Sequence, residues 1–210
     1  MKKAIVVTLF TLAALVAAKA QTGFHAGLYV SPQTTWMFNS ADSDNANFVY
    51  KTTFRVAFGL QTKYNFTDNV GVGIDLQFSQ QGQKFENDPG TVEAFRKVNY
   101  LKIPLLFHFN SSPDAPVMGR AYLGPQVGIL TSAIVEAEGS AGGVSIGGES
   151  DIDEFYNSAA VGAVFGFGLG FNAADFLQIN FGLRFDALFN TENGDLTAVE
   201  FANGGYFLDD

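Results

Sequence analysis

A two-residue alternation of side-chain character constrains this chain more than any other feature, and it is clearest between Ala159 and Phe189. In both halves of this stretch every second residue is apolar, mostly Phe or Leu, and the residues between are mostly glycine or polar. Successive side chains of a β-strand point to opposite faces, so each half predicts a strand with one apolar face. The short polar link at residues 172–175 joins the halves, and the stretch therefore predicts a β-hairpin.

The composition of the second face indicates which face of this hairpin is inside. A soluble β-protein would bury the Phe-rich face and cover the other with charged side chains. Here the second face holds glycines, Gln178, Asn180 and a few single charges. That set suits a narrow and polar interior, so the apolar face is expected to contact hydrocarbon, as in a transmembrane β-barrel.

Five further segments show the same alternation less regularly, which brings the number of predicted strands to seven. These segments are residues 23–38, 54–66, 70–81, 98–109 and 119–132. Pro104 and Pro125 lie inside two of them. Because proline has no N–H to donate to a ladder, we predict a bulge or a local break at each.

The lengths of the connections alternate, with brief links after the second, fourth and sixth predicted strands. The first, third and fifth are followed by long polar segments, residues 39–51, 82–97 and 133–157. Outer-membrane barrels have short periplasmic turns and longer extracellular loops. We therefore predict that these three segments are loops outside the cell.

The alternation and the connections together predict an all-β fold, an eight-stranded antiparallel up-and-down transmembrane β-barrel. Seven strands are evident, but an open sheet edge in lipid would leave backbone groups unpaired. After Phe189 the alternation stops, and a strand at residues 197–207 would be interrupted by Asn203-Gly204-Gly205. We therefore expect the eighth strand to be weak or to be missing from the chain.

The amino terminus has the pattern of a secretory signal peptide. Lys2 and Lys3 are followed by an apolar run and by the small-x-small sequence Ala18-Lys19-Ala20. We predict a signal peptide at residues 1–20 and a barrel domain at residues 21–210, in the outer membrane of a Gram-negative bacterium. Removing the three lysines of residues 1–20 from the 12 basic residues leaves nine against 21 acidic ones, a formal charge of −12. That charge argues against nucleic acid as a partner.

Three segments of the chain resemble strands of a known family. They are Tyr100-Leu101-Lys102-Ile103-Pro104-Leu105-Leu106, Gly124-Pro125-Gln126-Val127-Gly128 and the glycine-rich residues 166–171. These segments resemble the outer-membrane β-barrel domain of PorT-like small porins from Bacteroidetes-type bacteria, and the resemblance covers nearly all of the mature chain. It implies an eight-stranded barrel similar in size to OmpA-like and OmpX-like barrels, and it supplies no catalytic residue.

The face opposite the apolar one carries charged residues of both signs. The interior of an eight-stranded barrel is about wide enough for side chains to fill it. We therefore interpret these charges as an ion-paired network that plugs the lumen, in preference to a permeation path. The residues of this predicted network are Arg55, Lys63, Asp75, Lys102, Arg120, Arg184 and Asp186.

Other candidate sites have simpler interpretations. His25 and His108 share the inward parity near the predicted periplasmic ends of their strands, which favours interior histidines with satisfied hydrogen bonds over catalytic ones. Two acidic clusters do not match a calcium-binding loop, and they are interpreted as solvated loops. The chain has no cysteine, and no catalytic, cofactor or metal site is predicted. The acidic residues are Asp42 and Asp44 in one cluster, and Glu149, Asp151, Asp153 and Glu154 in the other.

The function expected from the sequence is that of a non-enzymatic, monomeric outer-membrane barrel with a structural or surface-interaction role. It would contact outer-membrane lipid, and the sequence identifies no envelope or extracellular protein partner. One alternative is a small-solute porin or channel. Another is a soluble lipocalin-like barrel, which would turn the Phe-rich face inward around an apolar ligand.

Overall fold

The computed structural model of the chain describes residues 23–35, 48–87, 92–111, 115–141, 144–174 and 177–191. In these residues nine antiparallel strands form one sheet, with one turn of 3-10 helix at Asp153–Phe155. No helix in this part of the chain is both long enough and apolar enough to cross a membrane. The strands are β1 (Gly23–Thr35), β2 (Phe48–Lys51), β3 (Thr53–Asn65), β4 (Val70–Asn87), β5 (Val92–Asn110), β6 (Met118–Ala141), β7 (Val144–Asp151), β8 (Ala159–Ala174) and β9 (Leu177–Phe189).

Seven strands follow one another in the sheet in the order β1, β3, β4, β5, β6, β8 and β9. The two short strands lie beside this path, β2 against β4 and β7 against β6. The sheet curls into a half-barrel. Its curvature brings the guanidinium of Arg184 on β9 into contact with Asp75 on β4 and over the ring of Tyr29 on β1. The predicted all-β antiparallel fold is confirmed. The predicted signal peptide and the region expected to hold the eighth strand lie outside the described residues.

A tight turn connects β3 and β4 at one end of the sheet, which we call the tight-turn end. After β3 the chain reverses at once, and the amide of Phe66 donates to the carbonyl of Val70 at 2.9 Å. The hydroxyl of Thr67 accepts from the amides of Asn69 and Val70 at 3.3 and 3.1 Å. The predicted brief link between these strands is confirmed.

The prediction of long loops at residues 82–97 and 133–157 is wrong. β4 continues to Asn87 and pairs with β5 from Glu93 onward, so the first segment is mostly a paired hairpin. The second contains the end of β6, all of β7 and the 3-10 helix. We call these additional strand segments the extension, namely the described residues of 48–51, 80–87, 92–99 and 132–158. Their polar composition resembles that of loops although their backbone is paired.

Pro104 and Pro125 interrupt the ladder without shifting it. The register of β5 against β6 is the same on both sides of the interruption, with Pro104 opposite Gln126 and Phe107 opposite Leu123. The predicted defect at these prolines is therefore a local break. The change of register lies elsewhere, because Asn99 pairs with Ser132 whereas Tyr100 pairs with Leu130. β6 thus holds one extra residue at Thr131, a β-bulge.

The two clusters of buried apolar residues in the described chain lie in the extension and directly beside it. The larger cluster consists of Val98, Tyr100, Ala133, Val135, Ile152 and Tyr156, and a smaller one pairs Phe85 with Ala94. Between the extension and the tight-turn end, the buried side chains are largely polar. They include Lys63, Asp75, Gln77, Lys102, His108 and Gln126.

Candidate functional site: the belt interior and the extension

Large apolar side chains cover the outward face of the sheet below the extension, and we call this region the belt. On β4 it runs from Val70 to Phe78. At roughly 3.3 Å per residue and a tilt of about 40°, such a segment spans roughly 23 Å, close to the ~25 Å apolar band of outer-membrane barrels. Exposed residues of the belt include Leu28, Phe54, Phe107, Phe165, Phe167, Phe181 and Leu183.

Ion pairs cross the interior of the belt around Arg184. Its Nη1 lies 3.2 Å from Oδ2 of Asp75, and its Nη2 donates to Oε1 of Gln77 at 3.1 Å. Its Nε donates to Oδ2 of Asp186 at 2.8 Å, and Nζ of Lys102 lies 3.8 Å from the other oxygen of Asp186. Because β9 and β4 are not neighbours in the sheet, these contacts span the lumen. We call Asp75, Lys102, Arg184 and Asp186 the cross-lumen group.

Glycines of β8 make room for this interior. A Cβ on Gly166 would lie 2.2 Å from the ring of Tyr122, which comes from the neighbouring strand β6. A Cβ on Gly162 or Gly168 would lie 2.0 or 2.1 Å from backbone carbonyls of β9. Atoms of the adjacent strands therefore occupy the space that side chains at these glycines would need.

The other three residues of the predicted interior network lie outside the cross-lumen group. Lys63 is buried on β3, and Arg120 on β6 lines a cavity of about 150 Å³ together with Asp75. The guanidinium of Arg55 lies over the ring of Phe95, 5.6 Å from its centroid. No ion pair found in the described part of the chain links these three residues to the group.

The two histidines have aromatic or amide neighbours. His25 lies with its Nε2 3.3 Å from Nδ2 of Asn65. His108 is buried beside Tyr122, with the ring centroids 5.6 Å apart. Each contact places the histidine ring against a side chain of the neighbouring strand.

Charged side chains on the outward face of the extension form ion pairs that sequence analysis missed. Lys84 lies 2.6 Å from Glu93 and 3.8 Å from Glu86, and Lys51 also pairs with Glu86. The hydrogen bond to Glu93 raises the pKa of Lys84, and that from Lys51 lowers the pKa of Glu86. The sequence does carry a sign of these paired strands. Charged residues alternate there with Gln83, Phe85 and Ala94, which continues the two-residue period of the strands.

Apolar side chains on the inward face of the extension form a small core. Ile152 and Tyr156 come from the segment around the 3-10 helix and pack onto Val98 and Val135 of β5 and β6. Leu188 of β9 also packs against this cluster. The cluster therefore connects the extension with the last described strand, at the end of the lumen opposite the tight turns.

The predicted acidic cluster at residues 149–154 belongs partly to this structure. The carboxylate of Asp153 accepts a hydrogen bond from the amide of Ala133, and Asp151 accepts from the amide of Asp153 at 2.9 Å. Glu149 and Glu154 are exposed. Asp42 and Asp44 lie outside the described residues. Across the described ranges, no three His, Cys, Asp or Glu side chains are grouped as they would be to hold a metal ion.

Comparison with known proteins gives one family. The profile of the outer membrane protein β-barrel domain matches residues 16–191. No curated protein matches the chain. Among solved structures, the chain is similar to Ail, the attachment invasion locus protein of Yersinia pestis, with 15% sequence identity, coverage of 81% of this chain and 91% of that chain, and a TM-score of 0.38.

Proposed function

This chain belongs to the family of outer membrane protein β-barrel domains, and from that premise we propose that it is a non-conducting barrel that presents a folded recognition surface above the membrane. In this proposal the barrel anchors the protein in outer-membrane lipid as a monomer, after removal of a signal peptide near Ala20. The extension faces the outside of the cell and interacts with envelope or extracellular proteins. The protein has no enzymatic role, and it is related to the PorT-like small porins of Bacteroidetes-type bacteria.

The observation that carries the closed lumen is the span of Arg184 across the interior. Its guanidinium bonds to Asp75 and Gln77 on the far wall and to Asp186 on its own strand. An eight-stranded barrel has an interior only about wide enough for side chains. A guanidinium fixed at that level by three side chains leaves little room for a hydrated solute.

The apolar cluster of the extension supports closure at a second level. Ile152 and Tyr156 are buried against strands β5 and β6, and Leu188 of β9 packs beside them. A solute that entered from this side would have to displace apolar side chains from their packing before it reached the charged group. Such a displacement exposes apolar surface to water and is unfavourable.

A conductance measurement tests the closed lumen. The full chain, refolded into detergent and verified by a heat-modifiable band, is added to planar lipid bilayers. We expect the unmodified protein to give no discrete conductance steps and Arg184→Ala to introduce them, because that change removes the side chain that spans the lumen. Asn180→Ala, on the same strand and without an ion pair in the described structure, is the matched control and should stay silent.

The competing function is a small-solute channel, and the cavity lined by Asp75, Arg120 and Arg184 favours it. A cavity lined by charged residues of both signs could hold an ion in transit. The same bilayer experiment separates the two functions. Stable conductance steps from the unmodified protein would refute the closed lumen and establish the channel.

A further inference from the structure

The outer edge of β7 is unpaired in the part of the chain that the structure describes. β7 pairs along its whole length with β6, from Val144 opposite Ala141 to Asp151 opposite Ile134, and with no other described strand. An edge strand presents a row of backbone N–H and C=O groups that can pair with another extended chain. The edge of β7 is therefore a template for one more strand.

In the described part of the chain, this edge lacks most of the features that normally protect a sheet from such pairing. Proteins block exposed edges with proline, with charged side chains and especially lysine, with bulges or with a covering segment. The charged residues of β7, Glu149 and Asp151, are both acidic. The sequence of β7 contains no proline and no lysine, and its register against β6 is uninterrupted. Gly147, Gly148, Glu149 and Asp151 are exposed, and a Cβ placed on Gly147 would meet nothing within 4 Å.

The charge around the edge selects the kind of chain that can pair there. No Lys, Arg or His occurs between Arg120 and Arg184, so β6 above the belt, β7 and the 3-10 helix carry only acidic charges. In the described structure Glu136 is paired with Lys97, whereas Glu138, Glu149 and Glu154 have no basic partner. The basic residues of the extension lie on β2, β4 and β5, and strand β6 lies between these strands and β7.

We propose that the outer edge of β7 binds an extended, lysine- or arginine-rich segment of a partner protein by adding it to the sheet as a strand. Main-chain hydrogen bonds supply the attachment in this mode, and side chains supply the selectivity. Glu138, Glu149 and Asp151 attract basic side chains of the added strand. A second copy of this chain is a poor occupant, because pairing β7 with β7 would concentrate carboxylates of like charge. The inference rests on the proposed surface-interaction role and specifies its partner.

The test uses the full chain in detergent micelles and a capped, fluorescent peptide of alternating lysine and valine. Fluorescence anisotropy is expected to show saturable binding. The same peptide with alternate amides N-methylated keeps its charge but cannot form a strand ladder, so we expect its affinity to fall at least about tenfold. Equal binding of the two peptides would overturn strand addition, and no binding of either would overturn the proposal as a whole.

A pair of variants tests the position of the site. Glu149→Lys reverses a charge on β7, and we expect it to weaken binding at least about tenfold. Asp68→Lys makes the same change at an exposed residue of the tight-turn end and should leave binding unchanged. Equal affinities of the two variants would place the site elsewhere. The comparison of the two peptides uses the unmodified protein, so it gives a result even where a variant fails to fold. Bilayer conductance reports separately on the closed lumen.

Discussion

The belt and the extension share strands β4, β5 and β6, yet the character of the faces of these strands changes from one region to the other. In the belt the outward side chains are apolar, and the inward ones include Asp75 and Lys102. In the extension the outward side chains include Lys84 and Glu93, and the inward ones include the apolar cluster around Val98 and Ile152, beside the buried Arg96. The strand period of two residues is common to both. What differs is the solvent outside, hydrocarbon around the belt and water around the extension.

The strands make this inversion in two ways. On β4 and β5 the register is continuous and only the residue types change. On β6 the bulge at Thr131 adds one residue, so the inward parity moves from even to odd numbers and places Ala133 and Val135 inside. Side chains hold the bulge, since Thr131 donates to the carbonyl of Asn99 at 3.0 Å and the Asn99 amide donates to Ser132 at 2.9 Å.

The largest expected effect comes from the polar interior of the belt. Arg184→Ala leaves Asp75 buried without its cation and leaves Asp186 with Lys102 alone. Removing one partner of a buried ion pair costs about 3–5 kcal/mol. Urea unfolding in micelles, followed by the heat-modifiable band, measures that loss. Asn180→Ala on the same strand should cost less than about 1 kcal/mol. Equal stabilities of the two variants would mean that the cross-lumen group does not stabilise the barrel.

A substitution in the apolar interior of the extension should destabilise the extension and leave the belt folded. Ile152→Ala removes buried apolar volume, a change that costs about 2–5 kcal/mol in well-packed cores. Because the loss falls on the extension, proteolysis near residues 142–158 should accelerate while the heat-modifiable band persists. Loss of that band in this variant would show that the two regions unfold as one unit.

A lysine introduced on the outward face should destabilise the protein much more in the belt than in the extension. Phe167→Lys places an ammonium against lipid, which costs about 2–4 kcal/mol near the middle of an outer-membrane barrel. Ile134→Lys makes the same change on the outward face of the extension, between Lys97 and Asp151. We expect the second variant to stay within about 0.5 kcal/mol of the unmodified protein. A similar loss in both would argue that lipid reaches the extension.

The smallest expected effect is the pH response of the outward ion pairs. Lys51 lowers the pKa of Glu86, so the pair stabilises the extension above the ordinary glutamate pKa and is lost as pH falls through the lowered one. Carbon NMR of the Glu86 carboxyl should give a lower titration midpoint in the unmodified protein than in Lys51→Met. Identical midpoints would show that the ion pair does not persist in solution.

The sequence predicts the belt well because lipid enforces a simple rule on each strand there. Alternation alone identified the seven strands of the main path, and parity placed Asp75, Arg184 and Asp186 on one face. It could not predict which of the seven charged residues meet. Pairing across a lumen depends on strand tilt and curvature, and these bring Arg184 to Asp75 while Arg55 lies over Phe95.

The extension escaped prediction because its strands resemble loops in composition. Residues 133–138 still alternate, with Ala133, Val135 and Ala137 on one parity and Glu136 and Glu138 on the other. The period was present, but its apolar members are small and its polar members charged. The bulge at Thr131 also shifts the phase relative to the belt, so the alternation cannot be extended upward from Ile129 without a break.

Site-directed spin labelling tests the central contrast most directly, and a chain without cysteine suits it. Labels at Leu105→Cys and Glu93→Cys lie on the outward face of β5, one in the belt and one in the extension. In lipid vesicles we predict that the first collides with oxygen but not with a water-soluble nickel chelate, and that the second collides with the chelate. Ready collision of the Leu105 label with the chelate would contradict a lipid-facing belt. It would also contradict the claim that the belt faces hydrocarbon while the extension faces water.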